Sequence, residues 1–264
     1  MAIESQTPHL GLAYDDQGRG DPPLLFLTGW CSSRARWADV AALCSAQHRI
    51  LNLDWRGHGD SDPAAGDFGV DDLVDDALRL LDARGVDSFV LCSASHAGWV
   101  AIELRRRVPE RVTRIVHLDW MVAEPSAAYM RLLEQLQSSE DWPRARDVLF
   151  EIWRGGVDLP AIEDAIAVMA AQSGDMWIRS GRVIESSYRR HGTPLAALAA
   201  LDSPPRVLHV YGQPHSPEYL EHQRQAAAEH RWFSVERLDV RSHFSMIEAP
   251  DAVAAAIERF VTAP

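Results

Sequence analysis

The sequence is poor in cysteine, carries more acid than base and has no long apolar run. Cys31, Cys44 and Cys92 are odd in number and lack metal-site spacing, which indicates reduced thiols. Lysine and arginine total 26 against 38 acidic residues, and the net charge of −12 argues against nucleic-acid or anionic-membrane partners. No apolar run is long enough to span a bilayer, and the first ten residues lack a secretory signal pattern. We therefore expect a cytoplasmic protein, with no nucleic-acid or membrane partner.

Short apolar runs alternate with helical patterns through most of the 264 residues. This alternation predicts an α/β fold with a mostly parallel sheet and right-handed crossovers. From about residue 122 to 188 the pattern is helix after helix, so we expect a helical cap over the carboxyl edge of the sheet. The expected division is core 1–121, cap 122–188 and core 189–264. The predicted strands are Leu10–Tyr14, Leu24–Leu27, Arg49–Leu53, Ser88–Cys92, Ile115–Leu118, Arg206–Tyr211 and Phe233–Leu238.

The most informative stretch is Ser93-Ala94-Ser95-His96-Ala97, between a predicted strand and a predicted helix. Its spacing is that of Gly-x-Ser-x-Gly, the nucleophile elbow of α/β-hydrolase folds, with Ser93 and Ala97 at the glycine positions. Small residues suit this corner because the backbone turns tightly there. The sequence therefore predicts that Ser95 stands above the sheet edge, and that the His96 N–H lies where an oxyanion donor belongs.

An acid and a histidine follow two later strands. Asp119 comes directly after Ile115–Leu118, and His243 follows the last strand. Many relatives of this fold place the acid after the strand predicted at Arg206–Tyr211, but the loop 212–217 contains no aspartate. The order Ser95, Asp119, His243 matches the α/β-hydrolase triad, and all three fall at carboxyl ends of strands, where open sheets bind ligands. Each still has a plain structural alternative, a helix cap for Asp119 and a solvated loop for His243.

The spacing alone leaves three classes of function open. A serine hydrolase of esters or C–C bonds would acylate Ser95, whereas a ligand receptor on this fold would not need His243. Metal-dependent oxygenase chemistry is disfavoured because no facial set of two histidines and a carboxylate converges on one strand end. The ring of His96 either lines the pocket or packs in the core.

Several stretches resemble the cofactor-independent 2,4-dioxygenases of 3-hydroxy-4(1H)-quinolones. The stretch Asp175–Glu185 and the pair Trp30-Cys31 are the most specific. The resemblance implies cleavage of two C–C bonds of the N-heteroaromatic ring with O2, giving carbon monoxide and an N-acylanthranilate without metal or organic cofactor. The other matching stretches are Thr28–Cys31, Asp54–Gly59, Ser95–Val100 and Leu118–Trp120.

The resemblance also implies roles for individual residues. His243 would be the general base for the 3-hydroxyl proton, Asp119 would support it, and Ser95 would orient the substrate by a hydrogen bond. Ala94 departs from relatives that carry histidine there, so that pocket wall and the accepted 2-substituent are open. A small aromatic N-heterocycle and O2 are the expected partners of a monomer or weak homo-oligomer. The implied substrate-binding residues are Trp30, Cys31, His96, Trp153 and Trp177.

Overall fold

A computed structural model describes residues 11–263 and contains one seven-stranded sheet in the order β1-β3-β2-β4-β5-β6-β7. All neighbouring strands are parallel except β1, which pairs antiparallel with β3 at one edge. The predicted α/β class with a mostly parallel sheet is therefore confirmed. The strands are β1 Tyr14–Gln17, β2 Leu24–Leu27, β3 Ile50–Leu53, β4 Phe89–Ala94, β5 Val112–Leu118, β6 Arg206–Tyr211 and β7 Phe233–Arg237.

The prediction for the first strand is wrong in its position. The expected strand was Leu10–Tyr14 followed by a turn, whereas β1 begins at Tyr14 and runs through Gln17; Leu10 lies outside the described residues. Edge strand β1 is held partly by charge, since Asp15 and Asp16 form ion pairs with arginines on other elements. A polar edge strand of this kind lacks the apolar run that marks a buried strand.

Alternate residues of the central strands divide between two cores. On β2, Leu25 and Leu27 face one core, and Leu24 and Phe26 face the other, as the period of two in a strand requires. All four side chains are fully buried, because helices cover both faces of the sheet. The carboxyl edge of the sheet is thereby left as the place where loops and side chains meet.

Eleven α-helices surround the sheet in the described part of the chain. Five of them, α4 to α8, fall between β5 and β6, where the helical cap is predicted. The division at residues 122 and 188 stays a prediction. The helices are α1 Ala38–Cys44, α2 Val70–Ala83, α3 Ala97–Arg107, α4 Ala127–Leu136, α5 Trp142–Arg154, α6 Pro160–Ala170, α7 Gly174–His191, α8 Pro194–Ala199, α9 Pro217–Glu229, α10 Ser245–Glu248 and α11 Pro250–Thr262, with a 3-10 turn at Arg34–Trp37.

Two further sequence expectations concern membranes and thiols. Within residues 11–263, no helix combines the length and the apolar character that crossing a bilayer requires. All three cysteines are free and buried.

Candidate active site

The corner between β4 and α3 presents Ser95 at the carboxyl edge of the sheet. Ser95 has a φ of +53°, a left-handed conformation that is uncommon for residues other than glycine. Its N–H donates to the carbonyl of Leu118 at 2.8 Å, which holds the corner against β5. A Cβ on Gly98 would lie 2.2 Å from the Trp120 ring, so only glycine fits where α3 passes that indole. These close contacts explain why small residues surround Ser95.

Asp119 lies directly after β5 and joins two other loops of the same edge. Its Oδ1 accepts the N–H of Gly212 at 2.8 Å, and its Oδ2 accepts the N–H of Ser245 at 3.1 Å and the Ser245 hydroxyl. Burial raises the pKa of Asp119, while the hydrogen bonds from Ser245 and Gly212 act in the opposite direction. Asp119 thus ties the end of β5 to the loop after β6 and to the segment that carries His243.

His243 is held by the last residues of helix α5. The main-chain N–H of His243 donates to the carbonyl of Trp153 at 2.7 Å. The His243 ring stacks on the Trp153 indole, with the ring centroids 5.3 Å apart. Burial, with the positive charge of Arg36 and the proximity of His96, lowers the pKa of His243 well below its usual range. The imidazole is therefore neutral at pH 7 and able to accept a proton.

Two adjoining cavities meet at these residues. The outer cavity has a volume of about 320 Å³, and Asp119 and His243 both line it. In the described chain, however, no hydrogen bond joins the side chains of Asp119 and His243, because the carboxylate oxygens bond to Gly212 and Ser245. The inner cavity has a volume of about 20 Å³. Both cavities are lined by Ser95, His96, Tyr129, Leu149, Trp153 and His243.

The remaining predicted substrate-binding residues are placed differently from one another. Trp30 and Trp177 line the inner cavity, and Trp153 and His96 line both cavities. Cys31 is fully buried, its thiol is next to Ser180, and its side chain lines neither cavity. Cys31 belongs to a hydrophobic core cluster, so a substrate contact by its side chain has no support from these two cavities.

Sequence reasoning missed Tyr129, which fixes the ring of His96. The phenol oxygen of Tyr129 lies 2.6 Å from Nε2 of His96. Burial raises the pKa of Tyr129 and lowers the pKa of His96 to about 3, so both groups are neutral. The phenol must then donate to Nε2, because the opposite arrangement would leave both the phenol proton and Nδ1 without partners. The Nδ1 atom of His96 carries the proton and has no partner in the described chain.

Arg36 is a second residue that the sequence did not single out. It belongs to the 3-10 turn after β2, is 8% exposed and lines the inner cavity. Burial lowers the pKa of Arg36 to about 10, so the guanidinium remains charged at pH 7. Nothing in the sequence marks Arg36 as a site residue, because the residues around it in this short turn form no recognisable motif.

Together these groups suit proton abstraction from a small ligand. A neutral imidazole, a hydroxyl and main-chain N–H groups at the start of α3 converge beside an aromatic cavity. Among residues 11–263, no cluster of three or more histidine, cysteine or carboxylate side chains could hold a metal ion. The expectation of cofactor-free chemistry stays a prediction.

Comparisons with known proteins agree with this fold and this site. Residues 22–189 match the model of the alpha/beta hydrolase fold family. The chain is 36% identical over 247 residues to a 2-heptyl-3-hydroxy-4(1H)-quinolone dioxygenase of Mycobacteroides abscessus, covering 92% of each chain. It is 32% identical to the 1H-3-hydroxy-4-oxoquinoline 2,4-dioxygenase of Pseudomonas putida, covering 96% of each.

Solved structures give the same picture. An AqdC variant in complex with its substrate, from work on recognition and ring cleavage of the Pseudomonas quinolone signal, aligns with a TM-score of 0.90 at 36% identity over 96% of each chain. The structure of 1H-3-hydroxy-4-oxoquinoline 2,4-dioxygenase aligns with a TM-score of 0.91 at 31% identity over 95% of this chain and 96% of that one. A thermophilic esterase at 19% identity and a TM-score of 0.77 shares the fold alone.

Proposed function

This chain belongs to the 3-hydroxy-4-quinolone 2,4-dioxygenases, ring-cleaving oxidoreductases on the α/β-hydrolase fold, and we propose that its own substrate is a 3-hydroxy-4(1H)-quinolone with an alkyl chain at C2. The observation that carries the choice of substituent is the outer cavity. Its volume of about 320 Å³ is that of sites for drug-sized ligands, and Met121, Leu149, Ile152 and Pro214 give it apolar walls. The relative from Mycobacteroides abscessus, named for a 2-heptyl quinolone, supports the same choice.

His243 is the general base of the proposed reaction. Its neutral imidazole takes the proton of the substrate's 3-hydroxyl, for which general-base assistance is typically worth about 10²–10⁴-fold in rate. Asp119 stabilises the resulting imidazolium by its charge. It also positions His243, because it binds Ser245 two residues further along the chain. Ser95 orients the substrate by a hydrogen bond and forms no covalent bond with it.

The deprotonated quinolone then reacts with O2. The electron-rich ring anion reduces dioxygen, a peroxide forms at C2, and its terminal oxygen attacks C4. Collapse of the bridged ring breaks the C2–C3 and C3–C4 bonds and expels C3 as carbon monoxide. One atom of O2 ends in the N-acyl group and the other in the carboxylate. The atoms of the substrate and O2 therefore equal those of the N-acylanthranilate and CO. The aromatic wall formed by Trp30, Trp153 and Trp177 keeps water from the peroxide.

The helical segment is part of the same proposal. Residues 122–188 act as the cap that carries Tyr129, Trp153 and Trp177 over the sheet edge, and the enzyme works in the cytoplasm as a monomer or weak homo-oligomer. The alternative of a serine hydrolase has less support, since likeness to esterases is limited to the fold at 19% identity.

The test is turnover of matched substrates in air. Purified protein is incubated with 3-hydroxy-4(1H)-quinolone and with its 2-methyl and 2-heptyl derivatives, and both CO and the acylanthranilate are measured. We expect CO from the 2-heptyl compound with the highest kcat/KM, and none from His243→Ala. A preference for the unsubstituted ring would overturn the alkyl assignment. Absence of CO from all three, with hydrolysis of an aryl ester that needs Ser95, would favour the hydrolase.

A further inference from the structure

A buried cation without an acidic partner lies beside the candidate base. The guanidinium of Arg36 contacts the Ser32 hydroxyl at 3.3 Å, the Met246 sulfur at 3.6 Å and the face of the Phe244 ring at 4.7 Å. None of these groups is charged. Its Nε has no hydrogen-bond partner in the described chain, and no carboxylate there forms an ion pair with it.

Such a placement is energetically unfavourable by itself. Moving a charged group out of water costs several kcal/mol unless a partner of opposite charge offsets the loss. The negative group that acts on Arg36 is Asp119, but its oxygens bond to Gly212 and Ser245 rather than to the guanidinium. Several other arginines of the described chain do pair with carboxylates, for example Arg34 with Asp54. Within residues 11–263, Arg36 therefore has no carboxylate in direct contact.

We propose that Arg36 is the fixed positive charge that stabilises the anionic quinolone after His243 has taken its proton. This inference rests on the proposed function. Arg36 lines the inner cavity together with Ser95 and His243, and the same serine and histidine also line the outer cavity, so the guanidinium lies next to the groups that meet the substrate. In the step concerned, the substrate O–H bond breaks, an N–H bond forms on His243, and the electron pair stays on the quinolone oxygen. Arg36 and Asp119 then each have a partner of opposite charge, the ring anion and the imidazolium.

Other charged groups near Arg36 do not replace this role. Asp39 and Asp164 line a separate cleft on the outer side of Arg36, where solvent screens them. Glu248, on helix α10, accepts the main-chain N–H groups of Arg241 and Ser242. On the inner side the titratable groups are His243, His96, Tyr129 and Asp119; burial keeps the phenol and the imidazoles neutral, and Asp119 is the group whose charge acts on Arg36.

The test separates proton transfer from oxygen chemistry by excluding O2. The 2-heptyl-3-hydroxy-4(1H)-quinolone is bound anaerobically to wild type, Arg36→Met and Arg36→Lys, and its anion is followed by absorbance across pH. Met246→Leu is the control for packing around the guanidinium, because it alters a neutral contact of Arg36 and leaves the charge in place. Fluorescence titration gives the affinity of each variant.

Wild type should ionise the bound quinolone at a pH at least one unit below that of the free compound. Arg36→Met should raise this midpoint by about one pH unit or more, as expected for a charge lost within a few ångströms in a medium of intermediate dielectric. Arg36→Lys should restore most of the shift, and Met246→Leu should leave it unchanged. The acid limb of kcat/KM should also move to higher pH in Arg36→Met, because a cation no longer opposes protonation of His243.

An unchanged midpoint in Arg36→Met, with tight binding retained, would overturn the proposal and leave Arg36 a packing residue. If Arg36→Met does not fold, the ionisation midpoint of the quinolone bound to wild type is the deciding measurement. A midpoint equal to that of the free compound would overturn the proposal. Failure of the proposed function is distinguishable, since wild type would then neither bind the quinolone nor release CO from it in air.

Discussion

Single residues at the ends of strands hold unusual backbone conformations that the rest of the fold maintains. Cys31, Ser95 and Asp119 have φ values of +61°, +53° and +46°, although none of them is glycine. Each costs of order 1–3 kcal/mol relative to an ordinary conformation and persists only where its surroundings over-determine it. Such residues cluster at functional sites, and these three lie around the same sheet edge.

The serine hydroxyl can be tested by its removal. We expect Ser95→Ala to keep a measurable share of kcat and to raise KM, because in the proposed reaction Ser95 orients the quinolone and is not acylated. Steady-state CO release over a range of substrate concentrations measures both parameters. A hydrolase would instead lose nearly all turnover, so a loss as deep as that of His243→Ala contradicts the proposed role of Ser95.

Tyr129 acts through its contact with His96. In Tyr129→Phe the Nε2 atom of His96 loses its donor, and the proton can move from Nδ1 to Nε2. We expect a several-fold fall in kcat/KM with little change in melting temperature, since loss of one buried hydrogen bond costs about 1 kcal/mol. Nitrogen-15 chemical shifts of the imidazole report the tautomer, and Tyr219→Phe, which removes a half-buried phenol oxygen outside both cavities, is the matched control. An unchanged tautomer in Tyr129→Phe would refute this role.

At the scale of elements, the C-terminus of α5 is built around the loop that carries His243. Gly155, at φ +59°, caps α5, and a Cβ there would lie 2.1 Å from the carbonyl oxygen of Arg241. The side-chain amide of Gln213 donates to the carbonyls of both Ile152 and Arg241. Helix α5, the loop after β6 and the loop that carries His243 are thus joined over a few residues.

This junction predicts different effects for two neighbouring glycines. Gly155→Ala and Gly156→Ala both place a side chain at positive φ, which costs about 1–2 kcal/mol. Only Gly155→Ala also collides with backbone, because nothing lies within 4 Å of a Cβ on Gly156. We expect Gly155→Ala to lower both the melting temperature and kcat, and Gly156→Ala to cost stability alone. Equal effects on kcat would mean that the junction does not position His243.

Element types were predictable from the sequence where burial dictates the pattern. Strands Leu24–Leu27 and Arg206–Tyr211 lie at the positions that the sequence predicts, because strands covered on both faces are rich in apolar residues. Edge strand β1 was misplaced, because its polar side chains are stabilised by ion pairs with distant arginines. Asp119 lies directly after β5, where the sequence predicts it, and its role as the acid stays a prediction.

The contacts around the site are less predictable than the positions of its candidate catalytic residues. Ser95, Asp119 and His243 each follow a strand, so chain order alone brings them to one edge. The contact of Tyr129 with His96 depends on how the cap helices fold back, and the position of Arg36 depends on the packing of Phe244 and Met246. No local pattern encodes either contact.

At the scale of the whole molecule, several histidines are buried in neutral form. Burial lowers the pKa to about 4 for His58 and His209 and to about 3 for His96 and His117, and His243 shifts the same way. In the unfolded chain each would titrate near 6.5. Below that pH the unfolded state binds more protons than the folded state. The contribution of these histidines to the free energy of unfolding is therefore fully present above pH 6.5 and is lost as the pH drops.

We therefore expect a pronounced loss of stability under mild acid. Each such histidine contributes up to roughly 1.4 kcal/mol per pH unit below 6.5, so five of them weaken the fold by several kcal/mol at pH 5. Asp119, whose pKa is raised, opposes this as a single group. Calorimetric melting temperatures between pH 8 and 4.5 measure the effect, with His209→Gln expected to reduce the slope. A melting temperature that stays constant from pH 7 to 5 would contradict the expectation.

The main-chain bond between the His243 N–H and the Trp153 carbonyl joins helix α5 to the loop of the candidate base. Any displacement of the C-terminus of α5 must either break this bond or move the backbone of His243 with it. The Trp153 indole also stacks on the His243 imidazole, so this wall of the cavity and the candidate base are anchored to each other. We therefore expect a change at the end of α5 to alter substrate binding and proton transfer together.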